Sequence, residues 1–506
     1  MTEFDVIVIG GGAAGMFAAI QAGYAGAKVL LLEPNDRLGK KLLITGKGRC
    51  NLTNDCSWQE VLKNVPRNPR FLYSALSGFT PADAVTFFES HGCETKTERG
   101  NRVFPVSDRS ASVVDALKTA LGYAGVEIRR ARALELLTRQ DGQTPPPQAE
   151  ASRSCRPERS EAEPKDPPSS VPEKEKPLCR ITGVRTDRGS FAAPAVILAT
   201  GGASYPATGS TGDGYRMAKA LGHTVVPPVG SLVPMVEDGD FCARMQGLAL
   251  KNVNVRLFEA VSGSAGRDKH CLSAPRSGHA VRSKEPAAPD PSENGERNAE
   301  AGVRTGNAMT AGKPVYEEFG ELLFTHFGLS GPVILSASAH MEQGKAYILS
   351  IDLKPALDEE KLDARILRDF AESKNRSLEN ALSGLYPKTM IPVMVARSGI
   401  PGDTKVNAVT REQRRTLLEL TKHFTVKISG LRPVAEAIVT SGGVSTREID
   451  PKTMGSKLVS GLYFAGEFID VDAYTGGFNL QIAWSTAFAA ANAAAQNIEK
   501  TGTLNE

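Results

Sequence analysis

The chain is poor in aromatic residues and in histidine: 6% of its 506 residues are Phe, Trp or Tyr, with two Trp, and seven are His. No basic stripe interleaved with aromatics is present, which argues against a nucleic-acid face. The few histidines form no H-E-x-x-H or Cys/His spacing, so no metal site is expected. Charge bias is also missing. The 60 basic and 57 acidic residues leave +3, too little for a long-range pull toward nucleic acid or an anionic membrane. The seven cysteines, at 50, 56, 93, 155, 179, 242 and 271, are scattered and contain no C-x-x-C pair, which points to a reducing, cytoplasmic setting. No segment offers the roughly 20 apolar residues of a membrane span. The stretch Ile482 to Ala495 comes nearest and is broken by Ser485, Thr486 and Asn492. At the N-terminus Asp5 and the glycines after Ile9 interrupt any signal-like apolar run. These absences leave a protein expected to act on a small molecule, without nucleic acid or membrane as partner, and they leave its oligomeric state open.

A chain of this length holds roughly two to four domains. Two stretches stand apart in composition. Residues 140–178 carry nine prolines and many charges, and residues 262–312 are Ser, Gly, Ala, Pro and charge; neither has an aromatic residue. Such segments bury too little apolar surface to offset the entropy of ordering, so both are expected to be disordered insertions. Strand-like sequence flanks each of them, Ala133 to Leu137 with Ile181 to Val184, and Val253 to Phe258 with Tyr316 to Phe324. That places the insertions in hairpin loops, where extra length costs little.

The first forty residues read as strand (Asp5 to Ile9), glycine turn, helix (Ala13 to Gly23) and strand (Val29 to Leu32), half of a βαβ unit. The region from 223 to 355 alternates like sheet, residues 356–423 carry helical spacing, and strands resume at Phe424 to Ile428 and Gly461 to Ala465 before a last helix from Phe478.

Gly10-Gly11-Gly12-Ala13-Ala14-Gly15 follows an apolar strand and opens a helix, and Glu33 ends the next strand. That context makes the pattern a dinucleotide fingerprint: Gly10 for the turn, Gly12 for approach of the pyrophosphate, Gly15 for close helix packing, Glu33 for the ribose hydroxyls. FAD and NAD share it, so other segments decide. Thr45 to Asn51 (TGKGRCN) follows the second strand, where flavoproteins commonly place a loop along the pyrophosphate and flavin. Gly461 to Glu467 (GLYFAGE) is a strand ending in Gly and an acid suited to ribityl hydroxyls. Gly476-Gly477-Phe478-Asn479 then opens the last helix, whose N-terminal dipole favours an anionic reduced flavin. Ala199-Thr200-Gly201-Gly202 and Thr208 to Gly214 form a further glycine-rich element.

The segments KLLITGKGRCNLTN at 41–54, FTHFGLSGP at 324–332 and GLYFAGEFIDVDAYTGGFNLQIAWSTA at 461–487 closely resemble the aminoacetone oxidase-like or BaiN-like FAD-binding flavoproteins, and more distantly the fumarate reductase flavoproteins. The resemblance implies an α/β fold: a discontinuous Rossmann-like FAD domain of the glutathione-reductase type, with an inserted β-barrel-like domain and a small helical domain. The corresponding bounds are 1–222 with 436–506, 223–355 with 424–435, and 356–423. It also implies non-covalent FAD held by Gly10, Gly12, Ala13, Ala14, Gly15, Glu33, Lys41, Gly46, Gly48, Arg49, Cys50, Asn51, Thr200, Gly201, Gly466, Glu467, Gly477, Phe478 and Asn479.

The expected function is an FAD-dependent oxidoreductase passing a hydride between flavin and a small organic substrate. No second complete G-x-G-x-x-G unit is present, so NAD(P)H would act as a transient reductant, and oxygen is the other candidate redox partner. Amine oxidation and NAD(P)H-dependent reduction both stay open, as do two other classes: an RNA-modifying flavoprotein and a non-enzymatic flavin-binding module. Cys50, with Cys56 six residues on, invites comparison with flavin disulfide reductases, although a small residue packed by the cofactor is the simpler reading. His326, in a turn between strand and helix, is a candidate general acid.

Overall fold

The computed structural model describes residues 4–140, 179–260, 313–342 and 344–502. The segments expected to be insertions, 140–178 and 262–312, lie outside the described residues except for Gln140. The strands on either side of each do form antiparallel pairs: Ala133–Gln140 with Cys179–Thr186, ending at Gln140 opposite Cys179, and Ala249–Glu259 with Tyr316–Thr325, ending at Leu257 opposite Tyr316.

Apolar runs too short for helices build a five-stranded parallel sheet in the order Leu462–Phe464, Ala195–Leu198, Val6–Ile9, Val29–Leu32, Glu127–Arg129. The three middle strands are buried throughout, as continuous Val/Ile/Leu runs covered on both faces must be. Helices Ala13–Tyr24 and Phe478–Gly502 lie together on one face. They are locked by Phe17, whose ring meets those of Phe79, Phe87 and Trp484 at centroid distances of 5.0, 4.9 and 5.6 Å. One hydrophobic core spans this whole part of the chain.

The second part is a closed six-stranded barrel in the order Met235–Glu237, Gly328–Ser330, Tyr316–Thr325, Ala249–Glu259, Tyr347–Asp352, Phe424–Leu431. The short first strand closes it by pairing Met235 with both Leu329 and Leu431. Helices Glu359–Glu372, Leu378–Ala381, Ile391–Ser398 and Arg411–Lys422 are inserted between two adjacent barrel strands. Asp358 and Thr410 cap the longest two, accepting from the backbone N–H groups of Lys361 and Gln413. The helices share a single core with the barrel: Leu362, Ile366, Met394 and Leu417 are continuous with Val255, Leu349 and Phe424. The 356–423 segment is thus a separate run of helix without a separate core.

Strand Val225–Ser231 lies outside the barrel. It pairs with Val439–Val444 in a two-stranded ribbon that leads from one part to the other, so the sequence boundary at 223 falls just before a shared connection. At the ribbon, Asp472 is 2% exposed and accepts from Ser231 Oγ at 2.7 Å and Ser441 Oγ at 2.9 Å. Among the described residues no helix is long and apolar enough to cross a membrane.

Candidate cofactor site and the junction beside it

The glycine turn is packed where packing is needed and open where a ligand is expected. A Cβ on Gly10 would lie 2.5 Å from Ala199 O, on the neighbouring strand. A Cβ on Gly15 would overlap Gly10 O, so the helix can rest on the turn only if residue 15 lacks one. At Gly12, the N-cap of helix Ala13–Tyr24, a Cβ would meet nothing within 4 Å. Ala14 touches the position that a Cβ on Gly466 would occupy, at 2.7 Å, which brings the C-terminal Gly-acid element against the first helix. Gly466 is fixed there by its N–H, donated to Thr486 Oγ at 3.0 Å.

Glu33 is 8% exposed. Its carboxylate accepts from Gly11 N at 2.7 Å and from Asn35 N and Nδ2 at 2.8 and 2.7 Å. Asn35 Nδ2 also donates to Thr208 O at 3.1 Å, so the third glycine-rich element closes over this corner. Replacing Glu33 by alanine is expected to weaken FAD retention roughly 10- to 100-fold, the worth of charge-assisted ribose hydrogen bonds. Equilibrium dialysis of flavin checks this, and unchanged affinity would remove its ribose role.

The loop after the second strand is backbone-strained. Lys47 and Cys50 have positive φ, 58° and 61°, within a run that includes Gly46 and Gly48. Such non-glycine residues cost about 1–3 kcal/mol each and cluster where a ligand repays the strain. Arg49 turns away from the turn: it pairs with Glu98 and Asp108, and its guanidinium lies 4.2 Å from the centre of the Phe104 ring. It pins the loop to the hairpin of Thr95–Glu98 and Arg102–Pro105. Cys50 is fully buried, and burial pushes its thiol up to about 12; Cys56, half-buried, is pushed up to about 11. Both are free thiols and protonated at neutral pH.

Lys41 Nζ donates to Glu467 Oε2 at 2.7 Å and to Ser204 Oγ at 2.6 Å. Glu467 Oε1 accepts from Thr440 N at 2.7 Å and Ser204 Oγ at 3.1 Å. One carboxylate thus ties together four segments beside Thr200 and Gly201. Gly477, at φ +99°, presses on the backbone of Thr53, while Asn54 Nδ2 donates to Gly476 O at 2.9 Å. Asn479 clamps the loop before it, exchanging hydrogen bonds with Ala473 N and O at 2.9 and 2.7 Å. The buried Phe478 opens the last helix.

In these loops Asn51 Oδ1 and Thr200 Oγ1 are buried without a hydrogen-bond partner. An unmet buried oxygen costs about 1–3 kcal/mol, and a flavin with its ribityl chain offers the matching donors and acceptors. With the free space at Gly12 and Gly48, they fit a bound FAD.

His326 stands exposed on a hairpin between Tyr316–Thr325 and Gly328–Ser330. The turn therefore joins strand to strand, because Gly328 to Ser330 pairs once more before helix Pro332–Ser338 begins. Two side chains unmarked by the sequence reading meet where the cofactor loops touch the barrel: Tyr474 OH lies 2.7 Å from His340 Nε2. Tyr474 lies within the segment 461–487; His340 follows a short helix and carries no local signal. Among the described residues no group of three His, Cys, Asp or Glu side chains could hold a metal ion.

Comparison with known proteins places the chain in a family. The family described as HI0933-like protein Rossmann domain matches residues 4–160 and 161–493. A 3-dehydro-bile acid delta(4,6)-reductase of Clostridium scindens is 28% identical over 97% of this chain and 98% of its own length. A ribosomal RNA dihydrouridine synthase of Escherichia coli is 29% identical over 97% and 98%. The solved structure of 3-ketosteroid delta1-dehydrogenase from Sterolibacterium denitrificans aligns with TM-score 0.44 and 13% identity, over 98% of this chain and 100% of that one. The chain belongs to the HI0933-like family of Rossmann proteins and is an FAD-dependent oxidoreductase.

Proposed function

We propose that this enzyme reduces a carbon–carbon double bond conjugated to a carbonyl, with NAD(P)H as the source of electrons. The observation that carries the reading is the bond shared by two relatives that both align over 97% of the chain. One is named for reducing a 3-oxo steroid skeleton at positions 4 and 6. The other is named for making dihydrouridine, the product of saturating the uracil bond next to its carbonyl. Bound FAD supplies the two-electron chemistry, taking a hydride from a donor and giving it to an acceptor. The protein side of the site supports this use. Its two nearby thiols are protonated rather than thiolate, which speaks against a dithiol relay through Cys50. A phenol of its loops meets an imidazole of the barrel part at their junction.

RNA as carrier of the reducible bond is the second reading. It is favoured by the Escherichia coli relative's name and by the exposed Arg67, Arg70 and Arg99, on segments that contact Asp470 and Asn54 through Asn68 and Gly100. The near-neutral total charge weighs against it.

The test is anaerobic bleaching of the flavin with NADH, NADPH or small amines, followed by reoxidation with cyclic enones, a 3-oxo-Δ4 steroid, uridine and ribosomal RNA. Bleaching by NAD(P)H and recovery with an enone is the expected result. Bleaching by amines alone would replace the reading with amine oxidation, and recovery with ribosomal RNA alone would select the second reading.

A further inference from the structure

Tyr474 sits on the short stretch between the buried Asp472 and the glycines that open the last helix, and that stretch is fixed from several sides. Tyr474 N donates to Asn64 O at 3.0 Å. Ala473 is clamped by Asn479, Gly476 O is held by Asn54, and Asp472 is anchored on Ser231 and Ser441. From this rigid base the phenol reaches across to the barrel part. Its oxygen lies 2.7 Å from His340 Nε2, and the two rings stack at 5.7 Å with 28° between planes. His340 follows helix Pro332–Ser338, and its backbone N–H is held by Ala337 O at 3.1 Å. On its other side is the ring of Tyr316, 5.0 Å away, whose hydroxyl is bonded to Glu318. The imidazole is therefore held between a tyrosine of the cofactor-binding part and a tyrosine of the barrel.

We propose that Tyr474 is the proton donor of the reaction and that His340 is the residue that positions and recharges it. The inference rests on the reading that the enzyme saturates a conjugated double bond. Saturation adds one hydride and one proton. The hydride is the flavin's contribution; the proton leaves Tyr474 Oη and forms a C–H bond with the second carbon. His340 Nε2–H, donating to that oxygen, passes its proton to the phenolate as it forms, and Nδ1 takes one up from water. The sum is one solvent proton moved to the substrate; Tyr474 is restored, and His340 is left as its Nδ1–H tautomer, which proton exchange with water returns to the Nε2–H form before the next turnover.

The protonation states agree with this geometry. Partial burial keeps the Tyr474 phenol above its ordinary value, helped by the carboxylates of Glu318 and Asp472, and burial holds His340 below its own. At neutral pH a neutral imidazole thus faces a protonated phenol, the arrangement a relay needs before turnover. A purely structural clasp between the two parts would use the same hydrogen bond but would not distinguish the two half-reactions.

The experiment uses the holoenzyme and the variants Tyr474→Phe and His340→Gln. Flavin reduction by NADPH and reoxidation by a panel of cyclic enones, a 3-oxo-Δ4 steroid and uridine are measured separately by stopped flow. Tyr474→Phe is expected to slow reoxidation at least ~100-fold more than it slows reduction, the scale of a lost general acid. His340→Gln is expected to slow it less and to shift the pH at which reoxidation falls off. Independently of turnover, His-selective 15N NMR should show His340 Nε2 protonated in the wild type, with the tautomer ratio changed in Tyr474→Phe. Equal slowing of both half-reactions by Tyr474→Phe, or an unmoved His340 signal, overturns the proposal while leaving the reductase reading intact. A wild-type enzyme that no panel member reoxidises overturns both.

Discussion

Replacing Gly15 by alanine is expected to abolish FAD binding and destabilise the fold, whereas replacing Gly12 by alanine is expected to lose FAD and leave stability unchanged. The difference follows from what each new methyl group would meet. At residue 15 it would overlap the carbonyl oxygen of Gly10. That oxygen has nowhere to go, because Gly10 N is bonded to Leu32 O at 2.9 Å and Gly10 itself is packed on Ala199. Helix Ala13–Tyr24 must then lift from the sheet, disturbing the contacts of Phe17 with Trp484 and carrying the helix N–H groups away from the phosphate position. Overpacking of this kind costs about 1–3 kcal/mol, about 1–3 °C of melting temperature for a protein of this size. At residue 12 the methyl group enters only the space left for the dinucleotide. Flavin absorbance of the purified variants and their thermal melts check both halves. Stoichiometric FAD in Gly15→Ala would show that the helix does not depend on this contact.

Lys41→Met is the second large effect. Lys41 and Glu467 are each 21% exposed at the side chain, and Glu467 also accepts from Thr440 N and Ser204 Oγ. Removing the ammonium leaves a desolvated carboxylate with only neutral donors, at a cost of about 1–3 kcal/mol once partial exposure is allowed for. Because Glu467 joins strand Leu462–Phe464 to Thr440 and Ser204, the FAD-binding edge of the sheet loosens too, and FAD retention is expected to fall about tenfold or more. Lys41→Met with Glu467→Gln should recover at least about 1 kcal/mol of the loss, because it removes the uncompensated charge. Urea denaturation of the two single variants and the double variant measures this coupling. Additive losses would mean that the ion pair is only a surface contact.

The parallel sheet and the glycine turn were legible in the sequence because their causes are local. Val6 to Ile9 and Val29 to Leu32 are unbroken apolar runs, and Gly10, Gly12 and Gly15 stand directly between the first of them and a helical run, where their spacing fits a strand-turn-helix. The barrel's strands were legible in their alternation, while the barrel itself was implied by the family resemblance and not by any strand's pattern. Its closure depends on Met235 finding Leu431, and no pattern in either strand encodes the pairing. Helical spacing after residue 356 revealed helices without revealing that they share the barrel's core, since periodicity shows which face is apolar and not what covers it. Lys41 and Glu467 were both marked, each for the cofactor; their mutual ion pair spans 426 positions. His340 had no signal at all, for its chemistry exists only when Tyr474, 134 residues away, is laid on it.

The order of strands in the parallel sheet also sets a timetable for biosynthesis. Val6–Ile9, the earliest strand of this sheet in the chain, needs Ala195–Leu198 as its neighbour, and that strand in turn needs Leu462–Phe464. Trp484, which packs on Phe17, and Thr486, which fixes Gly466, come later still. The barrel and its helices, with a core of their own lying wholly between residues 235 and 431, have every partner they need tens of residues before the sheet does. The nascent chain therefore has its inserted part complete first, and the site for FAD can form only once the last helix has been made. A chain stopped between Leu431 and Leu462 is expected to hold a folded barrel attached to a domain that cannot hold its cofactor.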